Sequence, residues 1–168
     1  MVGRSIDNLY PPRTSPPTRQ PLLEVKGVSA AGIVDNIHLT VHRGEVVGLF
    51  GLMGSGRTEL ARILFGIDPF EGGVVLIDGK PITRFSPRGS IRERVAFVTE
   101  NRREEGLLMN INIAENVALV ALPAFCQTPA QIVDRDRMMD AVSGAVNTLQ
   151  LKSGDIRQQP ARSLSGGN

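Results

Sequence analysis

A chain of 168 residues, 41% hydrophobic and 21% charged, can bury one sizeable core but not two comfortable domains. Its net charge of +2 resides in the first 20 residues, where Arg4, Arg13 and Arg19 face Asp7, so charge gives no sign of a nucleic-acid partner. A single cysteine, Cys126, excludes an internal disulfide framework, and no apolar run suits a spanning helix or a signal peptide, which reads as a soluble, cytosolic chain.

Pro11, Pro12, Pro16, Pro17 and Pro21 stand among Ser, Thr and Arg, a segment with little to bury and few ladder donors. Residues 1–21 therefore read as an extended linker. Order begins at Leu22. Residues 22–28 and 37–42 alternate apolar with polar, the period of half-buried strands. Residues 45–50 are nearly all apolar between Gly44 and Gly51, the pattern of a strand covered on both faces. Leu60, Ala61, Ile63 and Leu64 then recur at helical spacing and stop at Gly66. Residues 74–77 predict a strand turning at Asp78-Gly79, and 95–98 another buried strand. From about residue 112 the pattern turns helical, with Met139, Val142, Val146 and Leu149 on one stripe.

The segment Gly51-Leu52-Met53-Gly54-Ser55-Gly56-Arg57-Thr58 matches the phosphate-loop template except that Arg57 stands where Lys is usual. Glycines let the backbone curl so that successive N–H groups face one concavity, and the helix that follows adds its positive end. The Arg57 cation would offset phosphate charge, and the Thr58 hydroxyl is a ligand type suited to Mg²⁺. Guanidinium is broader than ammonium, so the γ-phosphate would be held less closely. A dinucleotide-binding fingerprint needs a third glycine at residue 59, which is Glu59. A plain glycine-rich turn explains neither Arg57-Thr58 nor the flanking strand and helix patterns.

The chain ends Leu164-Ser165-Gly166-Gly167-Asn168. Alone that is a flexible turn. Together with the phosphate loop it resembles the signature motif of the ATP-binding cassette (ABC) superfamily. Residues 48–60, then Thr99-Glu100-Asn101-Arg102-Arg103-Glu104-Glu105-Gly106-Leu107, then a signature ending in Asn, resemble the second nucleotide-binding domain of bacterial sugar importers of the ribose, galactoside and xylose type.

The resemblance implies an α/β P-loop NTPase of ABC type: an antiparallel β subdomain, a partial parallel core sheet and a helical subdomain. It divides the chain into the linker 1–21, a β and phosphate-loop core 22–107 and a helical subdomain 108–168. Gly51 to Thr58 would wrap the phosphates of ATP, with Mg²⁺ on Thr58 and Glu100 as a second candidate ligand. Glu100 stands where most cassettes carry a metal-sensing glutamine. Leu164, Ser165, Gly166, Gly167 and Asn168 would meet a phosphate held by a facing domain. Implied partners are a fused first ATPase domain, transmembrane permease subunits and, indirectly, a periplasmic sugar-binding protein, at the cytoplasmic face of the inner membrane. Residues 101–105 are either part of the surface that receives the membrane subunit or a solvated charged loop.

The aromatic that commonly stacks on adenine has no counterpart in Ala30-Ala31-Gly32. Nor is there a strand ending in Asp and a catalytic Glu, or a switch His; Asp78 reads as a turn residue. His38 and His42 read as surface strand residues, Cys126 and the methionines as packing. The chain thus reads as a fragment that binds nucleotide without hydrolysing it and exposes apolar sheet surface. Two other functions stay open: a nucleotide-binding regulatory module without turnover, and a soluble cassette ATPase acting on nucleic acid, against which the neutral body of the chain weighs.

Overall fold

The computed structural model describes residues 16–82, 85–126 and 132–165. These divide into two units, residues 16–97 and 98–165.

In the first unit β1 (Pro21–Ala30) is the organising strand. It pairs antiparallel with β2 (Val34–His42) on one side and β3 (Gly72–Ile77) on the other, and β3 turns back into the short β4 (Lys80–Pro81). The two-residue period of the sequence decides the faces: Val25 lies opposite both Leu39 and Val75, and Val28 opposite Ile37. Asp78 (φ 51°) and Gly79 (φ 74°) make the expected two-residue turn, with the positive φ at both positions that matches hairpin twist.

Helix α1 (Arg57–Phe65) lays Ile63, which has no exposed surface, onto Val25, Val28, Ala30 and Val75. It stops where the sequence predicts. Gly66 takes φ 84° and its N–H reaches the Ile63 carbonyl, while Ile67 N–H reaches the Arg62 carbonyl, both at 2.9 Å. A short helix α2 (Pro87–Arg92) starts under Ser86, whose hydroxyl accepts from Gly89 N–H. Ser90 Oγ donates to the Phe65 carbonyl at 2.8 Å and so ties α2 to the end of α1.

Residues 45–50 and 95–98, expected as covered strands, join no ladder. Val46 is 85% exposed, Phe50 100% and Val98 92%. Every pairing in the sheet is antiparallel, so the partial parallel core sheet is not formed among the described residues. The reason is that an apolar run supplies only a face to bury. A strand also needs a neighbour's N–H and C=O groups, and neither run has such a neighbour among the described residues. Val95 and Phe97 are half-buried, the Phe97 ring stacked on Phe65 at 5.5 Å.

The second unit opens with a single π-helical turn, Arg102–Gly106. Helix α3 (Ile113–Ala118) follows and runs into a 3₁₀ segment, Leu119–Phe125; then come α4 (Arg135–Thr148) and a 3₁₀ turn, Ala161–Ser163. Asn112 caps α3 by accepting from Glu115 N–H at 2.8 Å, and Asp134 caps α4 by accepting from Arg137 N–H at 3.1 Å. Ala114, Ala118, Phe125 and Val142 form the core, with Met138, Met139 and Val146 packed on it. The predicted α4 stripe is one residue too long. Leu149 follows the last helical residue and is 72% exposed. The two adjacent methionines do fill core, but Met53 is 97% exposed, because the loop that carries it is not covered by any of the described residues. Cys126 is half-buried, its thiol donating to the Leu122 carbonyl at 3.4 Å. The stretch that leads to Leu164 is stitched back onto the start of α3: Ala114 N–H donates to Ile156 C=O, Ile113 N–H to Gln159 C=O and Ala161 N–H to Ile111 C=O, all at 3.0 Å.

Candidate functional site

The glycine loop lies in the first unit, between the uncovered run 45–50 and α1. Ser55 N–H donates to the Leu52 carbonyl at 3.1 Å and closes a tight turn. Gly54 (φ 77°) and Gly56 (φ 81°) then bend the chain into α1 through the left-handed region that a side chain resists. Gly56 is the N-cap residue, and no side chain caps the helix. Its carbonyl accepts from Leu60 N–H at 2.8 Å. The N–H groups of Arg57, Thr58 and Glu59 therefore have no acceptor within the helix and carry its partial positive charge.

Gly56 is also a packing residue. It is buried, and a methyl group there would stand 2.9 Å from the Ile33 carbonyl oxygen and 3.1 Å from Val34 Cγ1. The loop is thus seated on the entry to β2. Across the loop a methyl on Gly51 would meet Ser55 Oγ at 2.6 Å. Arg57 and Thr58 are exposed at the mouth, and Arg57 Nη2 donates to the Leu52 carbonyl at 3.3 Å. The arrangement is an exposed loop that brings together backbone donors without an acceptor in the helix, one guanidinium and one hydroxyl, groups chemically suited to a polyanion and its counter-ion.

The second unit carries the other predicted residues. Glu100 is exposed and precedes the π-helical turn, where Asn101 Nδ2 donates to Glu104 Oε2 at 2.7 Å. Beside it Thr99 Oγ1 is buried without a hydrogen-bond partner among the described residues. Leu164 is half-buried and Ser165 exposed; Gly166, Gly167 and Asn168 lie outside the described residues, as do residues 1–15 of the linker. The two histidines each have a partner: His38 Nε2 meets Asn36 Oδ1 at 3.0 Å, and His42 Nδ1 meets Glu45 Oε2 at 2.9 Å.

Sequence reasoning missed two features. One is the seat of Gly56 on Ile33 and Val34, for which a buried glycine gives no periodic signal. The other is Asn116, whose amide donates to the carbonyls of Leu108, Ile111 and Asn112 and accepts from Leu108 N–H, fixing the turn before α3. A groove of about 550 Å³ opens between α3 and α4, bordered by Leu108, Leu122, Met138 and Met139, and none of the predicted site residues lines it.

Residues 34–168 match the model of the ABC transporter family. Along the whole chain the protein is 40% identical to the ribose import ATP-binding protein RbsA 1 of Rubrobacter xylanophilus and 39% identical to RbsA of Bacillus subtilis. It is 36% identical to a putative ribose/galactose/methyl galactoside import ATP-binding protein of Agrobacterium fabrum. The chain spans about a third of the length of these relatives, 33% in each case. Among solved structures it is similar to cbiO1 of Clostridium perfringens, with TM-score 0.63 and 22% identity over 87% of this chain and 56% of that one. It is also similar to the cassette MJ0796 bound to ADP and Pi, with TM-score 0.66 and 20% identity over 87% of this chain and 64% of that one. At such identities these two likenesses speak for the fold. With a P-loop NTPase fold, a family match over most of its length and relatives along all of it, the chain belongs to the ABC transporter family.

Proposed function

We propose that residues 51–58 cradle the phosphates of ATP, and that this chain is part of the second ATPase domain of a bacterial importer for a ribose-, galactose- or xylose-like sugar. The observation that carries the reading is the uncapped start of α1 behind two left-handed glycines, with a guanidinium and a hydroxyl at its mouth. The backbone N–H groups would donate to phosphate oxygens. The seat of Gly56 on the entry to β2 holds those donors in place before ligand arrives, so little reorganisation is needed on binding. Arg57 would exchange the Leu52 carbonyl for a phosphate oxygen. Thr58 would hold Mg²⁺, with Glu100 the second candidate, and the ion would offset charge on the terminal phosphates when bound. Leu164, Ser165 and the three residues beyond them would donate to a phosphate on a facing domain.

Relatives that are ribose import ATP-binding proteins support the sugar class. Their threefold greater length supports a fused first ATPase domain and a catalytic remainder outside this chain. On this reading the partners are that domain, transmembrane permease subunits received near residues 101–105 and, indirectly, a periplasmic sugar-binding protein. The place is the cytoplasmic face of the inner membrane; no helix among the described residues is long and apolar enough to cross it. The division into 1–21, 22–107 and 108–168 belongs to the same proposal.

Equilibrium dialysis against radiolabelled ATP, with and without Mg²⁺, tests the site. ATP should be retained and Mg²⁺ should tighten it. Thr58→Ala, an exposed position, should remove about tenfold of affinity, the worth of one charge-assisted contact, with the far-UV circular dichroism unchanged. Equal retention by wild type, Thr58→Ala and Arg57→Ala would overturn the reading. So would steady phosphate release by the 168-residue chain that Gly56→Ala abolishes, since hydrolysis is assigned to the longer polypeptide. The engagement of Arg57 with its own loop favours a second reading, a site that holds nucleotide without turning it over. ATP binding without hydrolysis at this site in the whole polypeptide would select it.

A further inference from the structure

Residues 16–20 of the predicted linker are laid against the end of the sheet. Pro16 and Pro17 have no N–H to give, and Thr18, the next residue, donates its own to the Arg43 carbonyl at 3.0 Å. Arg43 N–H in turn donates to the Gln20 carbonyl at 3.3 Å. Pro17 passes beside Gly44, where a methyl group would stand 3.8 Å from Pro17 Cα.

Asp78 closes the arrangement from the other side of β1. Its N–H donates to the Leu22 carbonyl at 2.8 Å, and its Oδ1 accepts from Arg43 Nη2 at 2.9 Å and from Gln20 Nε2 at 3.4 Å. One carboxylate oxygen thus joins the residues before β1, the exit of β2 and the turn between β3 and β4. Because β1 lies between β2 and β3, the ion pair from Arg43 to Asp78 crosses the path by which the chain enters β1. By register β1 begins opposite His42 and ends opposite Val34, at the seat of Gly56. The crossing therefore stands at the far end of β1 from the glycine loop.

We infer that residues 16–20 are a strap buckled to the sheet by the Arg43–Asp78 pair, so that displacement of the polypeptide upstream is delivered to the entry of β1 instead of being absorbed by slack. In the proposed function, on which this last step rests, that polypeptide is the first ATPase domain and the buckle is its point of attachment. The fastening is weak. With 45% and 47% of the two side chains' surface open to water, the pair shifts the balance between held and released by about threefold, and salt screens it. That suits an attachment that can be released, and it separates the buckle from the backbone bonds, which carry no net charge.

Limited proteolysis of the 168-residue chain, followed by mass spectrometry, tests this, because the bond after the exposed Arg19 lies within the strap. Trypsin should cut there about tenfold or more slower than in a free peptide of residues 14–25, since opening must precede cleavage. Asp78→Asn removes the charge and keeps a residue that tolerates the left-handed turn position, φ 51°. It should speed that cut about threefold with the thermal melt unchanged, and Arg43→Gln should do the same. The double variant should be no faster than either single one. The gap between wild type and variants should close in about 1 M salt, where the screening length is about 3 Å. Equal rates in wild type and both variants would overturn the buckle, and a cut as fast as in the free peptide would overturn the strap itself. Melts that fall in step with faster cutting would assign the pair to global stability and overturn the inference too. These readouts use neither nucleotide nor the upstream domain, so their failure is distinct from failure of the proposed function.

Discussion

The interior of the β1–β3 sheet and the run 45–50 are similar in composition and opposite in fate. Val25, Val28 and Val75 keep 2% or less of their surface, whereas Val46 keeps 85% and Phe50 all of it. The difference lies in neighbours. Each valine of the first set sits on a strand paired at known register and beneath Ile63 of α1, while the second set has no ladder and no layer above it among the described residues. Apolar sequence gives a segment something to bury; what covers it comes from elsewhere in the fold.

The sharpest way to break that comparison is to truncate one residue from each set. Ile63→Ala leaves a void where helix meets sheet and should cost about 2–5 kcal/mol in urea unfolding. Val46→Ala should stay within about 0.5 kcal/mol. Equal costs would mean that the run 45–50 is covered in solution.

How much of this could be read from residues alone follows the same division. Strands that carry their own signal were legible: the alternation over 22–28 and 37–42 and the Asp78-Gly79 turn all reappear in the sheet. The helix stop at Gly66 was legible because a left-handed cap has a chemical reason to be glycine. The loop geometry was legible for the same reason at Gly54 and Gly56. The strands 45–50 and 95–98 were not, because their composition is that of a parallel strand and says nothing of whether a partner lies beside it. The exposure of Leu149 was hidden too, since the stripe continues past the point where the helix ends. The seat of Gly56 on Ile33 depends on a contact between segments more than twenty residues apart, which no local pattern carries.

A smaller effect sharpens the comparison from the uncovered side. Val46, Leu49, Phe50, Leu52 and Met53 are all at least 48% exposed within one stretch of chain, the kind of contiguous apolar surface that drives association. The 168-residue chain should sediment as a concentration-dependent oligomer in analytical ultracentrifugation. Replacing Val46 and Phe50 with serine should weaken that association by about tenfold, the scale of losing one apolar contact of moderate size. Unfolding should be little changed. A monomer at every concentration, with a sharp cooperative melt, would show that the patch is already buried.

The smallest effect belongs to the covered side, where charge adds to packing. Arg62, in the last turn of α1, grips Asp68 with two hydrogen bonds, Nε to Oδ2 at 2.7 Å and Nη2 to Oδ1 at 3.1 Å, and so fastens the loop that follows the Gly66 cap. Those hydrogen bonds, aided by the guanidinium charge, hold the Asp68 carboxyl below its usual range. A carboxyl whose folded pKa is depressed adds stability above its unfolded value, about 3.9, and loses that contribution as pH falls through the folded one. Arg62→Gln leaves a shorter polar side chain and removes the charge. The Asp68 titration followed by NMR should move upward towards the ordinary aspartate value, and the variant's deficit in stability should be present at pH 7 and shrink at the acid end. A deficit that stays constant across that range would assign the pair to packing alone, and the covered face of the sheet would then owe its order to burial without help from charge.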